Sequence, residues 1–190
     1  RILREMLDRG VTHCVMEVSS HSLELRRTAG IGFDVAVFTN LAGEHLDFHV
    51  TMEDYFQAKK KLFFLNGKKR TAIVNQDDPW GQRLISELPM STVTFGFEPT
   101  ALVRAERAKF SGAGVEALVK YPGGQVTLTS PLAGRYNLSN LLAAFAAAMA
   151  LGVPVPVIKE GIAGLGQVPG RFEKVENILG FHIIVDYAHT

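Results

Sequence analysis

The chain has 190 residues, of which 47% are hydrophobic and 21% charged, and its formal net charge is +1 at pH 7. This balance argues against a nucleic-acid-binding surface, which requires an excess of Lys and Arg. No membrane span is expected either, because the apolar stretch 138–157 is interrupted by Asn140, Gly152 and two prolines. The composition is typical of a soluble globular domain with a substantial core.

The first predicted strand covers residues 12–18 and ends in a polar cluster. Its β-branched and apolar residues suit a buried parallel strand. The single cysteine, Cys14, should therefore be a buried thiol in a reducing cytoplasm. Glu17 comes at the carboxyl end of this strand, where open α/β sheets bind ligands. It is either a ligand of a hard cation such as Mg²⁺ or the partner of a neighbouring basic group.

The second predicted strand, residues 33–39, leads into a loop with several candidate ligands. The loop carries Glu44, His45, Asp47 and His49. A single histidine often has a purely structural role, but His45 shares its loop with several carboxylates. His45 is therefore a second candidate for the site.

A helix is predicted to begin after Thr51, its N-cap, and to end at residue 63 or 64. Acidic residues fill its first turn, where the helix dipole favours negative charge. Tyr55 and Lys59 are four residues apart and share one face of this helix. Lys59 either serves a site on that face or is one of three lysines that stabilise the helix C-terminus.

The middle of the chain predicts an α/β fold. Strands at 71–75 and 92–97 flank a helix that begins at Pro79, a pattern typical of a mainly parallel sheet with helices on both faces. Three further segments are separated by Gly-rich hairpin connectors and should form an appended antiparallel β meander: 101–110, 115–121 and 125–130.

The sequence G-R-Y-N-L-S-N opens an apolar helix at 141–151, which Gly152 and Pro154 end. From the residues alone, Asn137 is an expected N-cap and Asn140 a helix-start residue. Further on, V-P-G marks a turn that leaves Arg171 at the start of a strand, as a surface arginine or a ligand-binding one. A last strand at 181–185 runs into Asp186.

Three sequence blocks together resemble the Mur ligase family, and within it the MurE-type ligases. They are M-E-V-S-S-H, T-N-L-x-x-E-H-L-D-F-H and Y-x-x-A-K. The resemblance implies the central ATPase domain of a Mur ligase, with a P-loop-NTPase-like fold. It also implies an ATP-dependent, cytoplasmic enzyme of peptidoglycan precursor synthesis. Such an enzyme adds a diamino acid, meso-diaminopimelate or L-lysine, to UDP-N-acetylmuramoyl-L-alanyl-D-glutamate through an acyl phosphate.

The resemblance also implies roles for individual residues. Lys59 matches a lysine that CO₂ converts into a carbamate, and Glu17 and His45 match the groups around the magnesium ions. The conversion is chemically reasonable, because partial burial favours the neutral amine that reacts with CO₂. Ser19 and Arg27 match positions that hold the UDP-linked substrate, whereas Leu25 stands where relatives have a glutamine.

For the nucleotide, the resemblance assigns three residues. Asn140 would recognise adenine, Arg171 would contact the ATP phosphates and stabilise developing charge, and Asp186 would lie near the ribose. An amide can donate to and accept from the edge of adenine. Asn140 therefore has two interpretations, a nucleotide contact and a helix-start residue.

The resemblance further predicts that the sequence is a fragment of a larger protein. No G-x-x-x-x-G-K-[ST] phosphate-binding loop occurs in it, and Asn66-Gly-Lys-Lys is the nearest approach. Residues 1–180 would be the central domain and 181–190 the start of the junction to a C-terminal domain. These 190 residues alone should hydrolyse no ATP. The alternatives are another amide ligase of the superfamily, of the folylpolyglutamate or cyanophycin synthetase type, and a non-catalytic nucleotide-binding module.

Overall fold

The computed structural model describes residues 2–43, 48–65, 70–166, 168–170, 173–175, 181 and 183–187. The helices are α1 (Ile2–Asp8), α2 (Ser20–Glu24), α3 (Met52–Lys60), α4 (Pro79–Glu87), α5 (Arg135–Ala150) and α6 (Val155–Ala163), with a 3-10 turn at Lys61–Phe64. The strands are β1 (Val35–Phe38), β2 (Thr71–Asn75), β3 (Thr92–Gly96), β4 (Val103–Ser111), β5 (Gly114–Tyr121), β6 (Gly124–Ser130), β7 (Glu173–Val175) and β8 (Ile183–Val185).

The chain folds as two compact units. The first, called here the helical unit, comprises Arg1–Ile31 and Glu44–Leu65 and contains α1, α2 and α3. The second, the sheet unit, comprises Gly32–Gly43 and Asn66–Thr190 and contains the strands and the remaining helices. The motif blocks around Ser19 and Lys59 therefore belong to one unit, and Asn140 and Asp186 to the other.

A six-stranded mixed sheet forms the centre of the sheet unit. Its strands follow chain order from β1 to β6. The pairs β1–β2, β2–β3 and β3–β4 are parallel, whereas β4–β5 and β5–β6 are antiparallel. The strands predicted at 33–39, 71–75 and 92–97 are confirmed as parallel neighbours, and the appended antiparallel meander is confirmed as well. On the meander, a 2.6 Å hydrogen bond from Lys120 lowers the pKa of the exposed Glu106 carboxyl.

Helices cover both faces of the parallel strands, as predicted. On one face, Ile73 and Phe95 pack in a single cluster with Leu142 and Phe145 of α5. On the other face, alternate residues of β2, Ala72 and Val74, are fully buried outside that cluster. The helix α4 packs on β2 and buries its own Leu84 completely. Because successive strand residues point to opposite faces, burial of every residue from Ala72 to Asn75 requires a helix on each side.

Two aspartates fix the loops that follow the parallel strands. Asp78 is the N-cap of α4 and accepts hydrogen bonds from the backbone N–H of Gly81 at 3.0 Å and of Leu41 at 3.1 Å. The neighbouring Asp77 carboxylate accepts from the backbone N–H of Phe97 at 2.8 Å. A Cβ at Gly96 would collide with the Asp77 carboxylate, so this close approach requires glycine. These contacts hold the loops after β1, β2 and β3 at the carboxyl edge of the sheet.

The predicted strand at 12–18 is wrong. Residues 11–19 have no regular secondary structure, and Val15 is 101% exposed. A strand is stable only when it pairs with another, and among the described residues none pairs with this segment. The prediction of a buried Cys14 is wrong for the same reason, because its thiol lies in this exposed segment.

The predicted helix after Thr51 is confirmed, including its cap. The Thr51 hydroxyl oxygen accepts a hydrogen bond from the Asp54 backbone N–H at 3.1 Å. The helix α3 ends at Lys60 and continues as a 3-10 turn to Phe64, where the prediction placed its end.

None of the helices formed by the described residues combines the length and apolar character needed to cross a membrane.

Packing of α5 on the sheet gives a stability prediction. Phe145→Ala should lower the free energy of unfolding by about 3–5 kcal/mol, because the Phe145 side chain is fully buried and its loss leaves a cavity. The matched control is Phe110→Ala, since Phe110 is 47% exposed and should change stability by less than about 1 kcal/mol. Urea-denaturation midpoints of both variants check this, and equal shifts would contradict the proposed core.

Candidate functional site

The M-E-V-S-S-H block ends in the short helix α2, which Ser19 caps. The Ser19 hydroxyl oxygen accepts a hydrogen bond from the Ser22 backbone N–H at 3.2 Å and lies 3.0 Å from the Ser22 hydroxyl. Ser19 is half-buried, whereas Glu17 before it is exposed. The cap fixes the direction in which the chain enters α2.

Helix α2 ends in a tight turn with an arginine in an unusual conformation. The backbone N–H of Arg27 donates to Ser22 O at 2.8 Å and that of Arg26 to Leu23 O at 3.2 Å, a Schellman motif. Arg26 has φ +53°, in the left-handed region where glycine is usual. An L-residue there costs roughly 1–2 kcal/mol, and such strain is concentrated at functional sites. The turn leaves both arginine side chains exposed.

A buried hydrogen bond joins α2 to the end of the second motif block. His49 Nε2 lies 2.8 Å from the Ser20 hydroxyl, and only 4% of His49 and 2% of Ser20 are exposed. Buried polar groups are nearly always hydrogen-bonded, because a buried donor or acceptor without a partner costs free energy of folding. The pair therefore fixes the position of His49 relative to the first turn of α2.

Aromatic contacts extend this pair to the third motif block. The His49 ring stacks on Tyr55 of α3, with ring centroids 5.0 Å apart and an interplanar angle of 14°. Phe48 and His49 pack edge to face with ring centroids 4.9 Å apart, and the His21 and Phe48 ring centroids are 3.9 Å apart. One helical turn beyond Tyr55, the Lys59 Nζ lies 5.3 Å from the Tyr55 ring centroid. These residues are called here the His49 cluster: Ser20, His21, Phe48, His49, Tyr55 and Lys59.

The His49 cluster brings together residues from all three motif blocks of the resemblance within the helical unit. It contains Lys59, the candidate carbamate, whose side chain is half-buried. His45, the second candidate ligand, lies outside the described residues. Across the described part of the chain, no three His, Cys, Asp or Glu side chains are grouped closely enough to hold a metal ion. The donor chemistry still fits Mg²⁺, because Glu17 and a carbamate on Lys59 would both offer oxygen atoms.

The start of α5 differs from the prediction at Asn137. The N-cap is Gly134, with φ +94°, and not Asn137. The Asn137 amide lies inside the first turn, where its Nδ2 donates to Ala133 O at 2.7 Å. Asn140 lies one turn further along the helix and is exposed, four residues after Tyr136, which is 90% exposed. Residues four apart share a helix face, so Asn140 and Tyr136 present a polar and an aromatic group together.

The V-P-G turn and the end of β8 contact each other in the sheet unit. Gly170 has φ +68°, and its carbonyl accepts from the Tyr187 backbone N–H at 2.9 Å. Its own N–H donates to Glu173 Oε2 at 2.8 Å. Asp186 is exposed beside this contact, and Arg171 lies outside the described residues. The two segments that carry the candidate phosphate and ribose contacts are thus held together by their backbones.

Sequence reasoning missed Ser20 and His49 as members of the site. Both stand inside the motif blocks, but periodicity assigns no face to a residue in an irregular loop such as 48–50. The available signal was the aromatic and histidine content of the segment around Phe48, which suits packing against a neighbouring helix.

Comparison with known proteins gives consistent matches. Residues 1–148 match the Mur ligase middle domain. The chain is 46% identical to UDP-N-acetylmuramoyl-L-alanyl-D-glutamate--2,6-diaminopimelate ligase of Geobacter metallireducens, over 100% of this chain and 38% of that protein. A solved structure of a ligase of the same name superposes with a TM-score of 0.85 at 31% identity, covering 92% of this chain and 37% of the other.

A MurF ligase from Thermotoga maritima, solved in complex with ADP, superposes with a TM-score of 0.65 at 26% identity. That match covers 76% of this chain and 33% of the other. In each of these comparisons, the chain spans less than half of its relative's length.

The Gly170 turn gives a second prediction. Gly170→Ala should break the contact with the β8 end, because a Cβ there collides with the Tyr187 ring and a left-handed alanine costs roughly 1–2 kcal/mol. Hydrogen exchange at the Tyr187 amide should accelerate roughly ten-fold, the factor that corresponds to about 1.4 kcal/mol.

The control for this prediction is Gly161→Ala in α6, where a Cβ meets nothing within 4 Å. It should leave Tyr187 exchange unchanged and stabilise the helix by about 0.5–1 kcal/mol. Unchanged Tyr187 exchange in Gly170→Ala would contradict the contact.

Proposed function

The chain belongs to the Mur ligase family, and from this premise we propose that the full-length protein is an ATP-dependent ligase of peptidoglycan precursor synthesis. Its substrates are UDP-N-acetylmuramoyl-L-alanyl-D-glutamate, ATP and a diamino acid. The observation that carries the proposal is the convergence of the three motif blocks, because the bond from Ser20 to His49 and the stack on Tyr55 bring them to Lys59. The sequence also retains Glu17, His45, Lys59, Asn140 and Arg171 together, a polar set that a domain kept only for packing does not need.

The first chemical role is that of Lys59. Its neutral amine attacks CO₂, a bond forms between Nζ and the CO₂ carbon, and one proton leaves to solvent. The product is a carbamate, an anionic oxygen donor where a cation was. Together with Glu17 and His45, it would hold Mg²⁺, which supplies positive charge that neutralises the phosphates of ATP. Ser19 and Arg27 bind the UDP-linked substrate, the Arg27 guanidinium being suited to a phosphate or carboxylate.

The ligation then proceeds in two steps. The γ-carboxylate of the D-glutamate attacks the γ-phosphorus of ATP, the bond to ADP breaks, and an acyl phosphate forms. The amine of the diamino acid attacks the acyl carbon, phosphate leaves, and the nitrogen loses a proton. The contribution of this chain is to position the reactants and to stabilise charge. Arg171 contacts the transferred phosphoryl group, Asn140 binds adenine and Asp186 lies near the ribose.

The relatives support the finer assignments. The name of the Geobacter protein favours 2,6-diaminopimelate over L-lysine as the diamino acid. The ADP complex of the MurF ligase supports a nucleotide site in the shared fold. We assign residues 1–180 to the central domain and 181–190 to the junction with a C-terminal domain. The reaction belongs in the cytoplasm, where ATP is available.

Phosphate release by the full-length protein tests this function. With ATP, Mg²⁺ and UDP-N-acetylmuramoyl-L-alanyl-D-glutamate, release should depend on meso-diaminopimelate and stay at background with L-lysine or no amino acid. The 190 residues alone should release none, because they contain no phosphate-binding loop motif. Absence of release from the full-length protein with either diamino acid would contradict the proposal.

Lys59 is tested against its neighbour on the same helix. Lys59→Ala should lower kcat on the order of 100-fold or more, because it removes a charge-bearing group at the reacting phosphates. Added bicarbonate or short carboxylates should not restore activity fully. Lys60→Ala is the matched control, since Lys60 is also half-buried but lies over Phe64, 5.3 Å from its ring centroid. Near-normal activity of Lys59→Ala would refute the carbamate.

A further inference from the structure

We propose that His49 is a positioning residue for Lys59. Its buried ring holds the Tyr55 side chain, and thereby the Lys59 amine, in the place where the carbamate forms. This inference rests on the proposed function, because it concerns the carbamate assigned there to Lys59. It adds a residue to which the resemblance gives no role.

The His49 ring has a fixed orientation. Its Nε2 is held 2.8 Å from the Ser20 hydroxyl, and both side chains are almost completely buried. A rotation of the ring would move Nε2 away from that hydroxyl inside the protein. The Phe48 and His21 rings also contact the His49 ring, with centroids 4.9 Å and 5.6 Å from its own. Contacts on several sides therefore fix the plane of His49.

The plane of the His49 ring in turn sets the position of the Tyr55 ring. The two rings are nearly parallel, at 14°, with centroids 5.0 Å apart. Tyr55 is 5% exposed, so its ring is enclosed as well. Because offset stacking depends on the separation and tilt of both rings, a change in the His49 ring shifts the preferred position of Tyr55.

The Tyr55 ring lies next to the Lys59 amine. Lys59 follows Tyr55 by one helical turn, and its Nζ lies 5.3 Å from the Tyr55 ring centroid. The ring therefore borders the Lys59 Nζ and restricts where it can lie. A carbamate on a lysine reverts to CO₂ and amine unless its surroundings hold it. If a shifted Tyr55 displaces the amine, a smaller fraction of the Lys59 side chains should carry the carbamate.

Two substitutions of His49 separate its contributions. His49→Gln retains a polar group able to reach the Ser20 hydroxyl but removes the ring that stacks on Tyr55. His49→Phe retains a ring of similar shape but loses the hydrogen bond. Ser20→Ala removes the same bond from the other side and deletes only a hydroxyl, so it is the mildest variant. Ser86→Ala is its matched control, because Ser86 is an exposed residue of α4 whose hydroxyl donates to Arg83 O at 2.7 Å.

The experiment uses the full-length protein in ¹³C-bicarbonate and detects the carbamate by its carbonyl resonance in ¹³C NMR. The kcat, the KM and the thermal unfolding midpoint of each variant are measured as well. Wild-type and Ser86→Ala should show the resonance. His49→Gln should lose it at limiting bicarbonate, with kcat lower on the order of ten-fold, the effect typical of residues that orient a ligand. Raising bicarbonate should restore part of kcat, while KM for ATP stays unchanged. For His49→Phe and Ser20→Ala, the carbamate resonance and kcat should lie between those of the wild type and those of His49→Gln.

Each outcome decides the inference. Folded His49→Gln and Ser20→Ala variants that keep the full resonance and kcat would overturn the role of His49 and leave the proposed function intact. If His49→Gln fails to fold, the decision rests on Ser20→Ala, whose unchanged resonance would overturn the role and whose reduced resonance would support it. A wild-type protein with no carbamate resonance would instead remove the carbamate from Lys59, and this inference with it.

Discussion

The buried hydrogen bond between His49 and Ser20 is the contact on which the candidate site depends. The helix α2 has only five residues and follows an irregular segment, so it cannot be stable by itself. Its place is set by packing against α3 and by this bond. His49 also stacks on Tyr55, which lies next to Lys59. The bond therefore brings the block around Ser20, some forty residues earlier in the chain, close to Lys59. The proposed chemistry needs these groups together, because its catalysis consists of positioning and charge stabilisation.

Local signals predicted most of the fold, and the failures concern one strand and one helix cap. The β-branched runs of β1, β2 and β3 and the Gly-rich connectors of the meander gave the sheet correctly, because each carries its own periodicity or turn residues. Residues 12–18 have the same composition but form no strand, since pairing is not a property of one segment. Asn137 has the right chemistry for an N-cap, but Gly134 takes that place with φ +94° and Asn137 bonds to Ala133 inside the helix.

The sequence predicted the candidate site only in part, because it placed Tyr55 and Lys59 on one helix face but missed Ser20 and His49. A spacing of four residues placed Tyr55 and Lys59 on one face of α3, and the structure confirms that they are neighbours. No periodicity could show that His49, in an irregular loop, stacks on that same face. Ser19 illustrates a second limit, because its hydroxyl already caps α2, a contact that does not follow from a motif match. The roles of Glu17, His45 and Arg171 stay proposals that rest on the family.

The most direct test of this account is a crystal structure of the full-length protein with a non-hydrolysable ATP analogue, manganese and bicarbonate. We predict a carbamate on Lys59 Nζ and an anomalous manganese peak within bonding distance of its oxygens, with His49 stacked on Tyr55. A well-ordered, unmodified Lys59 with manganese bound elsewhere would contradict it.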